Sequence, residues 1–117
     1  MPRPDGGVRL RHMLDHARET VALVQGKTRA DLDADRLLNL ALVRLLEVIG
    51  EAASRIPAEE RARYPGIPWS QIVSLRNRLI HGYDSVDFDI LWAILSQDLP
   101  KLIIELEQIV TDKGRRA

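Results

Sequence analysis

Apolar residues recur at helical spacing in four stretches of the chain. From Val8 to about Gln25, Leu10, Leu14, Ala17, Val21 and Val24 follow one another at intervals of three and four. Gly26-Lys27-Thr28 predicts the stop. Asp31 or Asp33 is placed to cap a long second helix running towards Arg55, with the stripe Leu38, Ala41, Leu42, Leu45, Ile49, Ala53 and Ile56 and with Pro57 at or just past its end. A polar connector over 58–63, with room for one helical turn, leads into Tyr64-Pro65-Gly66-Ile67-Pro68, whose prolines oppose regular structure. The pattern predicts a third helix over Trp69 to Ile80, with Gly82 at its C-terminal turn. Asp87 then caps a last long helix carrying Phe88, Leu91, Trp92, Leu95, Leu99, Leu102, Ile103, Leu106 and Ile109. Pro100 removes one helical hydrogen bond and should kink or divide that helix.

No stretch shows sustained strand alternation, and there are no internal repeats. Amphipathic helices joined by short connections predict an all-α antiparallel bundle of four to five helices. Within it, residues 1–7 read as a flexible tail rich in Pro and Gly, 8–112 as the helical domain and 113–117 as a short basic tail.

Composition narrows what such a bundle can do. The length, 117 residues, suits one domain, and 17 Lys plus Arg balance 17 Asp plus Glu. A zero net charge argues against a broad basic face clamped along nucleic acid, but not against a local grip on one or two phosphates. Cysteine is absent, which excludes disulfides, thiol nucleophiles and thiolate-bound zinc. No apolar run of about 18 residues exists to span a membrane. The opening Met1-Pro2-Arg3-Pro4-Asp5-Gly6-Gly7 lacks the apolar core of a signal peptide, so a cytoplasmic address is expected.

The chemistry concentrates in Ser74-Leu75-Arg76-Asn77-Arg78-Leu79-Ile80-His81-Gly82-Tyr83. Arg76 carries a permanent charge in a planar fork that fits phosphate oxygens, and His81 exchanges its proton near neutral pH. One group for the anionic phosphate and one for proton transfer form a minimal kit for cutting RNA without a metal. With Trp69 as zero on a helical wheel, Ile72, Val73 and Ile80 fall within roughly 60° and mark a buried stripe, and Arg76 falls roughly 20° away. A charge there needs a receiver. Three receivers are open: a carboxylate such as Glu47 or Glu51, a groove that binds phosphate, or a subunit interface. His81 lies roughly 140° from Arg76 on an ideal helix, which a loosening at Gly82 and the long arginine side chain would relieve.

Other candidates are plainer. His12 and His16 share a helix face at a spacing that can bind metal, but no third ligand accompanies them, and they read as a solvated pair. Glu47 and Glu51 share a face away from the apolar stripe, as partners for Arg76 or Arg78, beside a Gly50 that allows close helix approach. Trp69 and Trp92 read as core.

The run Arg76-Asn77-Arg78-Leu79-Ile80-His81-Gly82-Tyr83 resembles the Arg-x4-His-x-Tyr signature of HepT-like ribonuclease toxins, a branch of the HEPN superfamily. The likeness extends to Leu46-Glu47-Val48-Ile49-Gly50-Glu51-Ala52-Ala53, to Ile67-Pro68-Trp69, to Val86-Asp87-Phe88-Asp89-Ile90-Leu91-Trp92 and to Asp98-Leu99-Pro100, and covers roughly residues 8–110. It implies a helical HEPN bundle, a homodimer, and metal-independent RNA endonuclease activity with no cofactor. Arg76 and His81 would be catalytic, their copies from two subunits meeting across the interface, with Asn77 a supporting phosphate contact. It also implies an MntA-type nucleotidyltransferase antitoxin that transfers AMP from ATP to Tyr83, as in type VII toxin–antitoxin systems. The alternative is a non-catalytic HEPN module that binds a nucleotide or docks such a partner.

Overall fold

The computed structural model describes residues 6–81 and 85–116; for His81 and residues 112–116 it gives the backbone path only. The architecture is all-α, as the periodicity predicts. Helix α1 spans Gly6–Leu23, and a turn closed by Gly26 at φ +74° follows it, a conformation glycine adopts without cost. Gly26-Lys27-Thr28 is therefore the stop expected.

The second apolar stretch is two helices, not one. Helix α2, Arg29–Ala34, is opened by Thr28, whose backbone N–H donates to the Asp31 carboxylate at 2.6 Å. That hydrogen bond, with a second from the Thr28 hydroxyl and the charge of Lys27, holds the Asp31 carboxyl below its usual range. Asp35 then caps helix α3, Arg36–Ser54, by accepting from the Leu38 N–H at 3.0 Å. The caps are thus Thr28 and Asp35, not Asp31 or Asp33. Asn39, buried, donates to the Leu32 carbonyl at 3.1 Å and locks α2 onto α3.

Helices α1 and α3 run antiparallel, the first turns of α1 lying beside the last turns of α3. Leu10, Met13, Leu14 and Ala17 meet Leu42, Leu46, Ile49 and Ala53 in one core. Each buried leucine contributes about 1.5–3 kcal/mol relative to exposure.

A one-turn helix α4, Ala58–Arg61, and the proline segment follow. Ile56 and Ile67 anchor that connector in the core. The third stretch is also divided: helix α5 is Trp69–Val73, helix α6 is Leu75–Leu79, and Ser74 sits between them at φ −97°, ψ 18°. The Ser74 hydroxyl donates to the Ser70 carbonyl at 2.6 Å, the local competition that bends helices. Strand β1, Ile80–His81, pairs antiparallel with β2, Ser85–Val86, in the register Ile80 with Val86 and His81 with Ser85. Helical structure therefore ends at Leu79, and His81 stands on extended backbone in a small hairpin that the sequence pattern does not disclose. The position expected for Gly82 lies outside the described residues.

Helix α7, Phe88–Ala93, is capped as expected: Asp87 accepts from the N–H groups of Asp89 and Ile90, each at 3.0 Å. A π-helical turn over Ile94–Asp98 joins it to helix α8, Leu99–Arg116. In that turn the Leu99 N–H reaches back five residues to the Ile94 carbonyl. The division expected from Pro100 takes this form, a widened turn just ahead of the proline rather than a break. Leu91, Ile94, Leu95, Leu99, Leu102 and Leu106 complete the core. Among the described residues no helix is long and apolar enough to cross a membrane.

Candidate active site

Two close backbones set the walls of the motif region. A Cβ built on Gly50 would lie 2.9 Å from the Ile72 carbonyl oxygen, so α3 and α5 touch with no side chain between them. Ile72, Leu75 and Leu79 face the core from α5 and α6. The outward positions of the same helices are then left for polar groups. The Asp87 N–H donates to the Leu79 carbonyl at 2.9 Å and ties the end of α6 to the start of α7.

Arg76 belongs to this outward set. Its side chain is 64% exposed, and its Nε lies 3.5 Å from Glu47 Oε2. The expectation of an arginine centred on the buried stripe is corrected. Trp69 is a poor zero for the wheel, because its indole N–H is shared between the Arg61 and Tyr64 carbonyls at the edge of the bundle. Val73, placed on the buried stripe with it, is exposed at 38%.

A hollow of about 260 Å³ opens between α3 and α5–α6, lined by Arg44, Glu47, Gly50, Glu51, Ser54, Val73 and Arg76. Arg76 thus has both a carboxylate neighbour and a concave surface in front of it. Glu47 stands on the rim of the contact between α3 and α5, not on a face turned away from it. At 3.5 Å and with Arg76 mostly in solvent, this pair contributes no more than about 1 kcal/mol. Of the other partners considered, Arg78 pairs with Asp98 at 3.2 Å and Glu51 with Arg55 at 3.0 Å. Arg44 was not singled out by the sequence pattern. Its spacing of three from Glu47 and seven from Glu51 puts all three on one helix face, a signal that was available.

His81 follows the end of α6 by two residues, and the Ile80 N–H between them donates to the Arg76 carbonyl. Asn77 is exposed on α6. Tyr83 lies outside the described residues. Trp69 and Trp92 are half-buried and pack against the core. Among the described residues no group of three or more His, Asp or Glu side chains is placed to hold a metal ion.

A larger hollow, about 470 Å³, lies elsewhere, floored by Ile72, Leu75, Ile94, Leu99 and Leu102 and edged by Arg78 and Asp98. Size would favour it as the site. Arg76, the motif arginine, lines the smaller hollow and not this one, so the smaller hollow is the better candidate for phosphate chemistry.

With the geometry in place, likeness to known proteins decides the lineage. A family model described as Ribonuclease HepT-like matches residues 13–109. The chain belongs to the HepT-like ribonuclease family. The matched span takes in Glu47, Gly50 and the whole run from Arg76 to Tyr83. Among curated relatives of this HepT-like chain is "Putative RNase MJ0127" of Methanocaldococcus jannaschii, 32% identical over 112 residues, which are 96% of this chain and 93% of the relative. "Putative RNase TTE0752" of Caldanaerobacter subterraneus is 34% identical over 93% of this chain and 94% of its own length. "Probable ribonuclease HepT" of Thermococcus cleftensis is 34% identical over 82% of this chain and 91% of its own. No solved structure matches the chain.

Proposed function

We propose that this HepT-like chain is a metal-independent RNA endonuclease, the toxin of a type VII toxin–antitoxin pair. The observation that carries the reading is Arg76: a guanidinium exposed at the lip of a hollow, within a family whose named relatives are ribonucleases. Cleavage begins when the RNA 2′-oxygen attacks phosphorus and the bond to the 5′-oxygen breaks. The nucleophile must lose a proton and the leaving oxygen must gain one. His81 of one protomer takes the first proton and His81 of the partner subunit supplies the second. Arg76 stabilises the charge on the phosphorane, and Asn77 helps to orient the phosphate.

One motif histidine per chain is the reason for a homodimer. An apolar stripe supports it: Leu37, exposed at 81%, and Leu40, at 49%, continue along α3 towards Arg44 and the hollow, whose wall includes Val73, exposed at 38%. A second copy covering this stripe would bring two hollows together. Regulation follows the same logic. A nucleotidyltransferase antitoxin of the MntA type adds AMP to Tyr83, and the added anion repels the RNA phosphate beside the catalytic pair.

The test is purified protein and RNA in EDTA. Cleavage by the wild type, lowered about 10²–10⁴-fold in His81→Ala and Arg76→Ala, supports the reading. Wild-type rates in either variant overturn the assignment. Intact mass after co-expression with the nucleotidyltransferase reads Tyr83 directly, because Tyr83→Phe should gain no AMP.

A second reading has its own observations. Zero net charge and the Glu47 carboxylate beside Arg76 favour a module that holds a nucleotide or docks a partner without cutting RNA. It predicts no cleavage in EDTA by any variant.

A further inference from the structure

His12 and His16, left above as a solvated pair, do not stand alone. Arg9, His12 and His16 follow at intervals of three and four and share one face of α1. That face looks across a second hollow, about 280 Å³, at Arg55 near the end of α3. Val8, Val48 and Ala52 supply its apolar lining, and among the described residues Glu51 is the one acidic residue in its wall. Glu51 is held by Arg55 at 3.0 Å, and Glu19 lies 3.6 Å from His16 Nδ1. Four nitrogen-bearing side chains from two helices thus converge on one concavity in a chain whose net charge is zero.

Position adds the second argument. Glu51 lines both this hollow and the one that holds Arg76. On α3 the two sets of wall residues occupy neighbouring sectors, roughly 100° and 120° wide, that overlap at Glu51. A strand leaving Arg76 and crossing α3 over Glu51 enters the second hollow directly.

We propose that the hollow of Arg9, His12, His16 and Arg55 is an RNA subsite that holds the backbone phosphate and base next to the scissile linkage. This rests on the ribonuclease reading and extends it from the cut bond to the neighbouring nucleotide. The arginines match phosphate oxygens, and the imidazoles with Val8 give a base a surface to stack on. That mixture favours a nucleotide over an acidic peptide, which needs the cations but not the rings.

The experiment measures binding of fluorescent 2′-O-methyl RNA, which cannot be cut, as an oligomer of about twelve nucleotides. The triple variant His12→Gln, His16→Gln, Arg55→Gln should weaken binding about tenfold, with a salt dependence flatter by about one phosphate contact. Cleavage of a dinucleotide should not change, because no neighbouring phosphate is present. Glu51→Gln should tighten binding of the oligomer, a direction that misfolding cannot produce. Unchanged affinity and salt slope in the triple variant overturn the subsite even if the wild type cuts RNA. Wild-type protein that cuts no RNA sinks the ribonuclease reading and with it the placement beside a scissile linkage, even if the triple variant binds the oligomer more weakly. An equal loss of affinity for polyglutamate overturns it in favour of an acidic protein partner, and a wild type that binds no RNA overturns it outright.

Discussion

Helices α1, α3 and α8 and the segment from Trp69 to Val86 are held together in different ways. The long helices bury continuous leucine stripes, and their stability comes from apolar area. Among its described residues, the motif segment holds two helices of five residues and two strands of two, each too short to stand alone. Three buried residues, a backbone contact at Gly50 and the cap at Asp87 fix it to the scaffold. The difference explains how a small bundle can leave charged groups outward around a hollow. Where packing does not need the outward face, chemistry can use it.

Substitutions can break that contrast, and the largest effect on folding should come from the scaffold. Leu46→Ala, at a fully buried position, should cost about 2–5 kcal/mol in urea unfolding. Next comes the junction: Gly50→Ala places a methyl against the Ile72 carbonyl and should cost about 1–3 kcal/mol, with reduced RNA cleavage because both walls of the hollow shift. Asp87→Ala removes the cap of α7 and should cost about 0.5–2 kcal/mol by thermal denaturation. Arg76→Ala should change stability by less than about 1 kcal/mol, since its pair with Glu47 is largely solvated, while cleavage is lost. If Arg76→Ala instead unfolds the protein as Leu46→Ala does, the contrast collapses and Arg76 is a structural residue.

The scaffold was legible because leucine spacing reports directly on burial. Leu10, Leu14 and Ala17 in α1, Leu42, Ile49 and Ala53 in α3, and Leu95, Leu99, Leu102 and Leu106 at the end of the chain read as core and are core. The interruptions were not legible, because each depends on a single polar residue winning a local contest. Asp35 starts a new helix where Asp31 and Asp33 were equally good candidates on composition. Ser74 divides α5 from α6 through its own hydroxyl. The hairpin of Ile80–His81 with Ser85–Val86 is too short for any alternation to show.

The candidate site was legible as chemistry but not as geometry. Arginine, histidine and tyrosine at their spacing mark a stretch that lies inside the family match, and Glu47, one of the partners open to Arg76 on sequence, is its ion-pair partner. The direction in which Arg76 faces is not readable from a wheel centred on Trp69, because that half-buried tryptophan does not mark the centre of the apolar face. An indole that hydrogen bonds to two carbonyls marks an edge, not a centre.

The bare glycine of α3 has one more consequence. Because main chain rests on main chain there, the spacing of α3 and α5 is set at Gly50 by backbone atoms rather than by a side chain. Arg44, Glu47, Glu51 and Arg76 stand around that contact rather than in it, so exchanging one of these charges leaves the contact that spaces the walls in place.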